Sequence, residues 1–322
     1  MFCPKCGHEA EDGLRFCMYC GQPLSARPAP KSDSPVKKFF LAVLRALVYF
    51  LVYLIVENVV VFTYEMAMLA GPIAQVVIAG GDVYAMYDAL IEDLYVQVQQ
   101  HLHLLLILST LLTILIYCIQ FRIRHKKPLE EMHVRRVPVS RALYALLLGI
   151  SLQVVVSLLL YVLPIPESLV ESFNEDADFL YGGPVVIEFI NIAIFTPLME
   201  EIVFRGLIYT RLRRGMRRGI AVVLSAVVFG AAHGHIISFV YAGLLGLLFV
   251  LLMERNGDSI VVTICCHAGF NAASYALAYI PDSIPLLLAL GCAAAAVGCG
   301  AGYLALRPLG NAKEAADDAE AA

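Results

Sequence analysis

Residues 184–206 read PVVIEFINIAIFTPLMEEIVFRG, an apolar run of membrane-spanning length that ends in two carboxylates and an arginine. Crossing roughly 30 Å of hydrocarbon takes about 20 helical residues. Further apolar segments meet or approach that length at 39–62, 101–121, 142–163, 219–234, 236–253, 260–280 and 285–306. The pattern predicts an all-α polytopic membrane protein with about eight transmembrane helices. Segment 219–234 is short and the break at Gly234-His235 is thin, so seven spans or a re-entrant pair are the alternatives. Composition agrees. Of 322 residues, 60% are hydrophobic and 16% charged, and mean hydropathy is +0.77. Soluble domains hold about 45–50% apolar and about 25% charged residues. The balance excludes a disordered chain, a nucleic-acid-binding chain and an ordinary cytosolic enzyme. Trp is absent, so an interfacial aromatic belt would rest on the 16 Tyr and 16 Phe.

The few charges are sorted along the chain. Lys and Arg are missing from 46–121 and from 142–204. The loop read at 63–100 carries Glu65, Asp82, Asp88, Glu92 and Asp93, with room for a surface helix; that at 164–183 carries Glu167, Glu171, Glu175, Asp176 and Asp178. Basic residues concentrate instead in 122–141 (seven) and 205–218 (six). Retention of basic loops in the cytosol places both termini inside and both acidic loops outside. Arg45 lies near the inner end of the first span, where it can snorkel.

Ahead of the first span stands Cys3-x-x-Cys6, ten residues, then Cys17-x-x-Cys20, with Gly7 and Gly21 after the pairs. Two residues between thiolates let one tight turn present both to a single tetrahedral ion, and glycine permits the positive φ of that turn. So short a module cannot bury a sufficient core, and a structural Zn2+ would supply its folding free energy. A pair of disulfides is the alternative, disfavoured on the cytosolic side. His8 is not needed as a ligand. Ser25–Pro35 has the composition of a flexible tether. Domain boundaries follow: zinc ribbon 1–24, linker 25–38, N-terminal helices and loops 39–140, a core at 141–306 and an acidic tail at 307–322.

Ionisable groups within apolar spans are costly and point to function. Glu200 and Glu201 project about 100° apart on a helix, so they serve different purposes. Glu201 and Arg205, spaced i,i+4, can pair on one face, and Pro197 can kink the helix just before Glu200. Phe229 and His233 share a face of the fifth span, where Gly230, Ala231 and Ala232 allow close helix approach. His267 and Asn271 are again i,i+4. A lone histidine in an apolar helix is usually a packing residue, and a His–Asn pair can be interhelical glue. Together, however, these groups make a polar centre suited to activating water and stabilising an oxyanion.

Glu200-Glu201-x-x-x-Arg205, Phe229-x-x-x-His233 and His267-x-x-x-Asn271 resemble, in order and spacing, the three motifs of the CPBP family of intramembrane proteases. That family includes type II CAAX prenyl endopeptidases and bacteriocin-processing or immunity-associated proteins, and the resemblance covers roughly 140–280. It implies that Glu200 activates water, that His233 binds or orients it, and that His267 and Asn271 hold the oxyanion, with Glu201 and Arg205 as the structural pair aiming Glu200. A catalytic metal stays open: Glu200, His233 and His267 could offer three ligands, but the motif is not HExxH and a metal-free glutamate mechanism is preferred. The expected activity is an intramembrane endopeptidase acting on peptide or protein substrates in or at the bilayer, membrane-associated or lipid-anchored. A non-catalytic scaffold or immunity-type protein of the same fold, whose ribbon recruits a protein partner, is the rival. A proton-relay transporter is weaker, since no inverted repeat or paired broken helices are visible. The ribbon-plus-membrane architecture suggests a bacterial cytoplasmic membrane, where prenylated CAAX proteins fall outside the expected substrates.

Overall fold

Long apolar stretches have to satisfy their backbone hydrogen bonds internally, and helices do so. The computed structural model describes residues 2–9, 11, 16–24, 34–178, 181–279 and 284–307. Most of the expected linker and all of the acidic tail except Arg307 lie outside them. The helices longer than ten residues are α1 (Pro35–Ile78), α2 (Tyr87–Ile123), α3 (Val139–Val162), α4 (Glu167–Asp178), α5 (185–213), α6 (Arg218–Ala231), α7 (Ile236–Arg255), α8 (Val261–Leu277) and α9 (Ile284–Leu306). Every apolar segment read from the sequence falls on one of them. Among the described residues five helices are long and apolar enough to cross a membrane, namely α1, α2, α3, α7 and α9. Helices α6 and α8, at 14 and 17 residues, are shorter.

Two expectations about span limits change. The region 63–100 is not a loop: α1 continues to Ile78 and α2 starts at Tyr87, so the acidic residues sit on a helical hairpin closed by a turn at Gly80 (φ 67°). At about 1.5 Å per residue, the 44 residues of α1 reach about 66 Å, twice a hydrocarbon core. The apolar run read at 184–204 also continues as helix, to Arg213. Glu200 therefore stands 13 residues above the α5–α6 connection and His233 stands 15 residues beyond Arg218. At about 1.5 Å per helical residue, both counts come to about 20 Å, so the two motifs stand at similar distances from the connection.

Helix α5 is the axis. From Glu201 through Leu212 every residue is buried, which marks a helix surrounded by others. Its apolar side chains form one core with Tyr49, Tyr117, Phe121, Met132 and Phe229. A second core joins α3, α7, α8 and α9 through Ala145, Phe249, Cys266 and Ala305. The α3–α8 crossing is close because both helices carry glycine there. A Cβ on Gly149 would lie 1.8 Å from the Cys266 carbonyl, and one on Gly269 would lie 2.3 Å from that of Leu146.

The loops at the Arg213 end are bound to one another. Arg213 donates two hydrogen bonds of 3.0 Å to Asp258, Arg211 reaches Glu131 at 2.7 Å, and Tyr209 donates to Glu254 at 2.5 Å. The Ile260 N–H donates to the His133 carbonyl at 3.0 Å. Hydrogen bonding to Arg213 holds the Asp258 carboxyl below its usual value, against desolvation.

In the ribbon, the two cysteine pairs form twin knuckles. Gly7 N–H donates to Cys3 O and Gly21 N–H to Cys17 O, each at 2.9 Å, with φ of 71° and 69° at the glycines. The four sulfurs lie within 4.8 Å of one another, with Cys3–Cys20 and Cys6–Cys17 each at 3.6 Å. A tetrahedral zinc with bonds of about 2.3 Å places sulfurs about 3.8 Å apart, whereas a disulfide needs about 2.0 Å. The four thiols therefore form a zinc site. Backbone hydrogen bonds from Cys6 and Lys5 draw the Cys3 thiol down to about 6. Against a backbone hydrogen bond from His8, desolvation and the neighbouring thiols push Cys6 up to about 12. A divalent cation among the sulfurs relieves that mutual repulsion.

Metal analysis of the purified chain is expected to give about one zinc ion per chain, lost in Cys17→Ser together with protease resistance of residues 2–24; a ribbon equally resistant in excess chelator would contradict the assignment. For Asp258→Asn, the expectation is a lower Tm than the native chain at neutral pH. Because Asp258 ionises at a lower pH folded than unfolded, its contribution is present above pH 3.8 and lost as pH falls through the folded value. The Tm gap should therefore be constant at neutral pH and close below about pH 4; a gap that persists at low pH would show that Arg213 does not act through this carboxylate.

Candidate functional site

The site is built on α5, α6 and α8, where Glu200 and His233 stand at similar distances from the α5–α6 connection. Glu201 is fully buried, with Arg205 at 1% exposure beside it, and Arg205 Nη1 donates to Glu201 Oε1 at 2.8 Å. The i,i+4 pair read from the sequence is present. The guanidinium is held between two rings, 3.9 Å from the Phe229 centroid and 4.8 Å from that of Phe249, so cation–π attraction replaces part of its lost hydration. Arg205 Nε and Nη2, Glu201 Oε2 and Glu200 Oε2 are buried without hydrogen-bond partners.

His267 on α8 completes the cluster. Its Nδ1 lies 3.0 Å from Glu201 Oε1, and since a carboxylate only accepts, Nδ1–H is the donor. Its Nε2 faces Glu200 Oε2 at 3.7 Å. The two adjacent carboxylates thus bracket one imidazole, which their divergence on the helix does not forbid, because the ring nitrogens point in different directions. His233 is placed by α6. Its Nδ1 donates to the Phe229 carbonyl at 2.8 Å, which leaves Nε2 as an acceptor in the neutral ring. Phe229 joins the elements: its ring meets His233 edge-on at 4.9 Å, His267 at 5.9 Å and Phe204 at 5.0 Å. Asn271 is turned to a different partner, its amide donating to the Ile192 carbonyl at 3.0 Å. His235 is a capping residue. Its Nδ1 accepts from Ile237 N–H at 3.1 Å at the start of α7, and its Nε2 lies 3.0 Å from Ser172 Oγ on α4.

Other groups at this site were not singled out from the sequence. Glu57 and Tyr53 on α1 and Tyr241 on α7 lie within electrostatic range of Glu200. Glu57 carried a usable signal: it is the one charged residue between Leu47 and Phe62. The tyrosines carried none, being ordinary in membrane helices. At the α5 N-terminal end, buried Glu188 accepts from Gly182 and Gly183 N–H at 2.9 and 2.6 Å and from the Tyr275 hydroxyl at 2.9 Å. It anchors the start of α5 to α8.

As for a metal among the helices, the donors of Glu200, His233 and His267 do not gather as the ribbon sulfurs do. Among the described residues the ribbon is the one set of three or more His, Cys, Asp or Glu ligand atoms that converges.

Comparison with known proteins fits this geometry. No curated protein and no solved structure matches the chain. Residues 2–24 match a zinc-ribbon domain. The matched core segment includes Glu200, Glu201, Arg205, His233, His267 and Asn271 and leaves out α1 and α2. The protein is an integral membrane protein whose residues 182–273 match the type II CAAX prenyl endopeptidase Rce1-like family, a protease-type domain behind an N-terminal zinc ribbon.

Proposed function

We propose that this protein is an intramembrane endopeptidase whose general base is Glu200. The observation that carries the reading is the convergence of Glu200, Glu201, Arg205 and His267 from two helices, with His233 at a similar distance from the α5–α6 connection, within a segment of the Rce1-like type. Glu200 takes a proton from a water molecule, and the resulting hydroxide adds to the carbonyl carbon of a peptide bond. Collapse of the tetrahedral intermediate breaks the C–N bond, and the proton held by Glu200 passes to the leaving amine, so the carboxylate is regenerated. His233 accepts a hydrogen bond from the water through Nε2, the nitrogen left free by the Phe229 carbonyl. His267 faces the reacting oxygen through Nε2 and stabilises the oxyanion as a hydrogen-bond donor, holding that proton before and after the step. Asn271 has a second amide hydrogen, beyond the one on Ile192, available to the same oxygen.

Glu201 and Arg205 never leave their buried pair in this scheme. Glu201 orients His267 directly, and it reaches Glu200 only through that imidazole. Substrates are membrane-associated or lipid-anchored peptides and proteins, presented at the depth of the cluster. The N-terminal side lies inside, with the Arg213 end and its bound loops facing the cytosol.

The test is cleavage of a lipid-anchored fluorogenic peptide by the full chain in liposomes. General-base and oxyanion groups contribute about 10²- to 10⁴-fold each, so Glu200→Gln, His233→Ala and His267→Ala are each expected to lower kcat by at least about 100-fold with folded yield kept. Wild-type rates in all three folded variants would defeat the enzyme and favour a scaffold.

A further inference from the structure

Five residues before Glu200, the main chain of α5 has a built-in defect. Asn191–Phe195 is a π-helical turn, in which the Thr196 N–H reaches back five residues to the Asn191 carbonyl. In that register the Ile192 carbonyl would next accept from the N–H of residue 197, and residue 197 is proline. The carbonyl is therefore left without a donor from its own helix, at membrane depth, where an unsatisfied backbone group is costly. Asn271 Nδ2 occupies that position at 3.0 Å. On the opposite side the turn is joined to α2, with the Asn191 amide nitrogen 3.1 Å from His103 Nδ1 and both side chains buried.

We propose that Asn271 is a positioning residue whose side-chain amide replaces the hydrogen bond that Pro197 removes from α5, and so holds the π turn that sets Glu200 against His267. The geometry stands by itself, while its catalytic consequence rests on the reading of Glu200 as general base. A helix released at this turn is free to resume α-helical winding toward Pro197, which rotates the following carboxylate about the helix axis. Asn271 thereby acts on the reaction through Glu200, and α8 delivers both the imidazole that faces Glu200 and, one turn later, the amide that fixes the backbone beneath it.

A double-mutant cycle on the full chain in nanodiscs separates this role from oxyanion binding. Asn271→Leu keeps the volume and removes the donor, and is expected to lower Tm by about 2–4 °C. After Pro197→Ala, which allows α5 to bond its own carbonyls, the same substitution should shift Tm by less than about 1 °C. Equal shifts in both backgrounds would overturn the proposal. A second readout does not depend on Pro197→Ala folding: the ¹⁵N ring resonances of His267, which report the carboxylate at 3.7 Å, are expected to move in Asn271→Leu. Unchanged His267 resonances in the folded variant would also overturn it. With the anchored peptide, Asn271→Leu should lower kcat with KM kept, and Pro197→Ala should recover part of the loss. If the native chain cleaves nothing, the enzyme reading fails, while the Tm cycle and the His267 resonances still decide the role of Asn271.

Discussion

A fully buried carboxylate shared by a guanidinium and an imidazole organises this protein. Glu201 Oε1 accepts from both Arg205 and His267, so α5 and α8 are joined by charge-assisted hydrogen bonds in a region that excludes water. Such a cluster is no free gain in stability, because desolvation offsets most of the Coulomb attraction. What it provides is restriction. Removing any one partner strands the others in a low dielectric, at a cost of about 3–5 kcal/mol, so packing that keeps the three together is strongly favoured over alternatives. Phe229 and Phe249 close over the guanidinium, and the same Phe229 presents His233 one helical turn on.

The two π-helical stretches of α5 follow from this demand and from its sequence. An uninterrupted α-helix would place Glu200 and Glu201 without reference to Pro197. The wider turn at Asn191–Phe195 relieves the proline, and the nine-residue stretch Glu201–Tyr209 carries the charge pair itself. Each departure from regular winding is answered by a neighbouring side chain. Asn271 serves Ile192, and the Thr210 hydroxyl donates to the Gly206 carbonyl at 2.6 Å. Gly206 has its own reason to be small, since a Cβ there would stand 2.5 Å from the Met132 carbonyl. Among the described residues, the helix that departs most from regular winding is also the one most enclosed.

Around this axis the rest of the chain divides by task. Helix α3 packs on α8 through Gly149 and Gly269, and α9 backs α3 in turn, with Gly298 against Ser151 and Gly302 against Leu148. Helix α1 supplies the wall on which Tyr53 and Glu57 approach Glu200, so a helix outside the protease-type segment contributes to its electrostatic surroundings. Helix α2 reaches the π turn of α5 through His103 and Asn191. The ribbon folds by a different principle, with metal–thiolate bonds in place of a core.

The membrane class, the ribbon and the three polar motifs were legible in the sequence because each rests on local chemistry. Span length is set by bilayer thickness, a zinc knuckle by thiol spacing, and an i,i+4 pair by helix geometry. The limits of the helices were not legible: α1 and α5 continue beyond the apolar runs, since a helix satisfies its own backbone hydrogen bonds whether or not lipid surrounds it. Nor could spacing reveal that Glu201 binds His267, that Glu200 and Glu201 bracket one ring, or that Asn271 turns to Ile192. Those contacts join residues 66 to 79 positions apart. The sequence by itself determined which ionisable groups enter the membrane and on which helices, because burying a charge is costly wherever it occurs. Only the tertiary structure decided which of them meet, because partners are chosen by helix depth, rotation and close approach, and these are properties of the packed bundle.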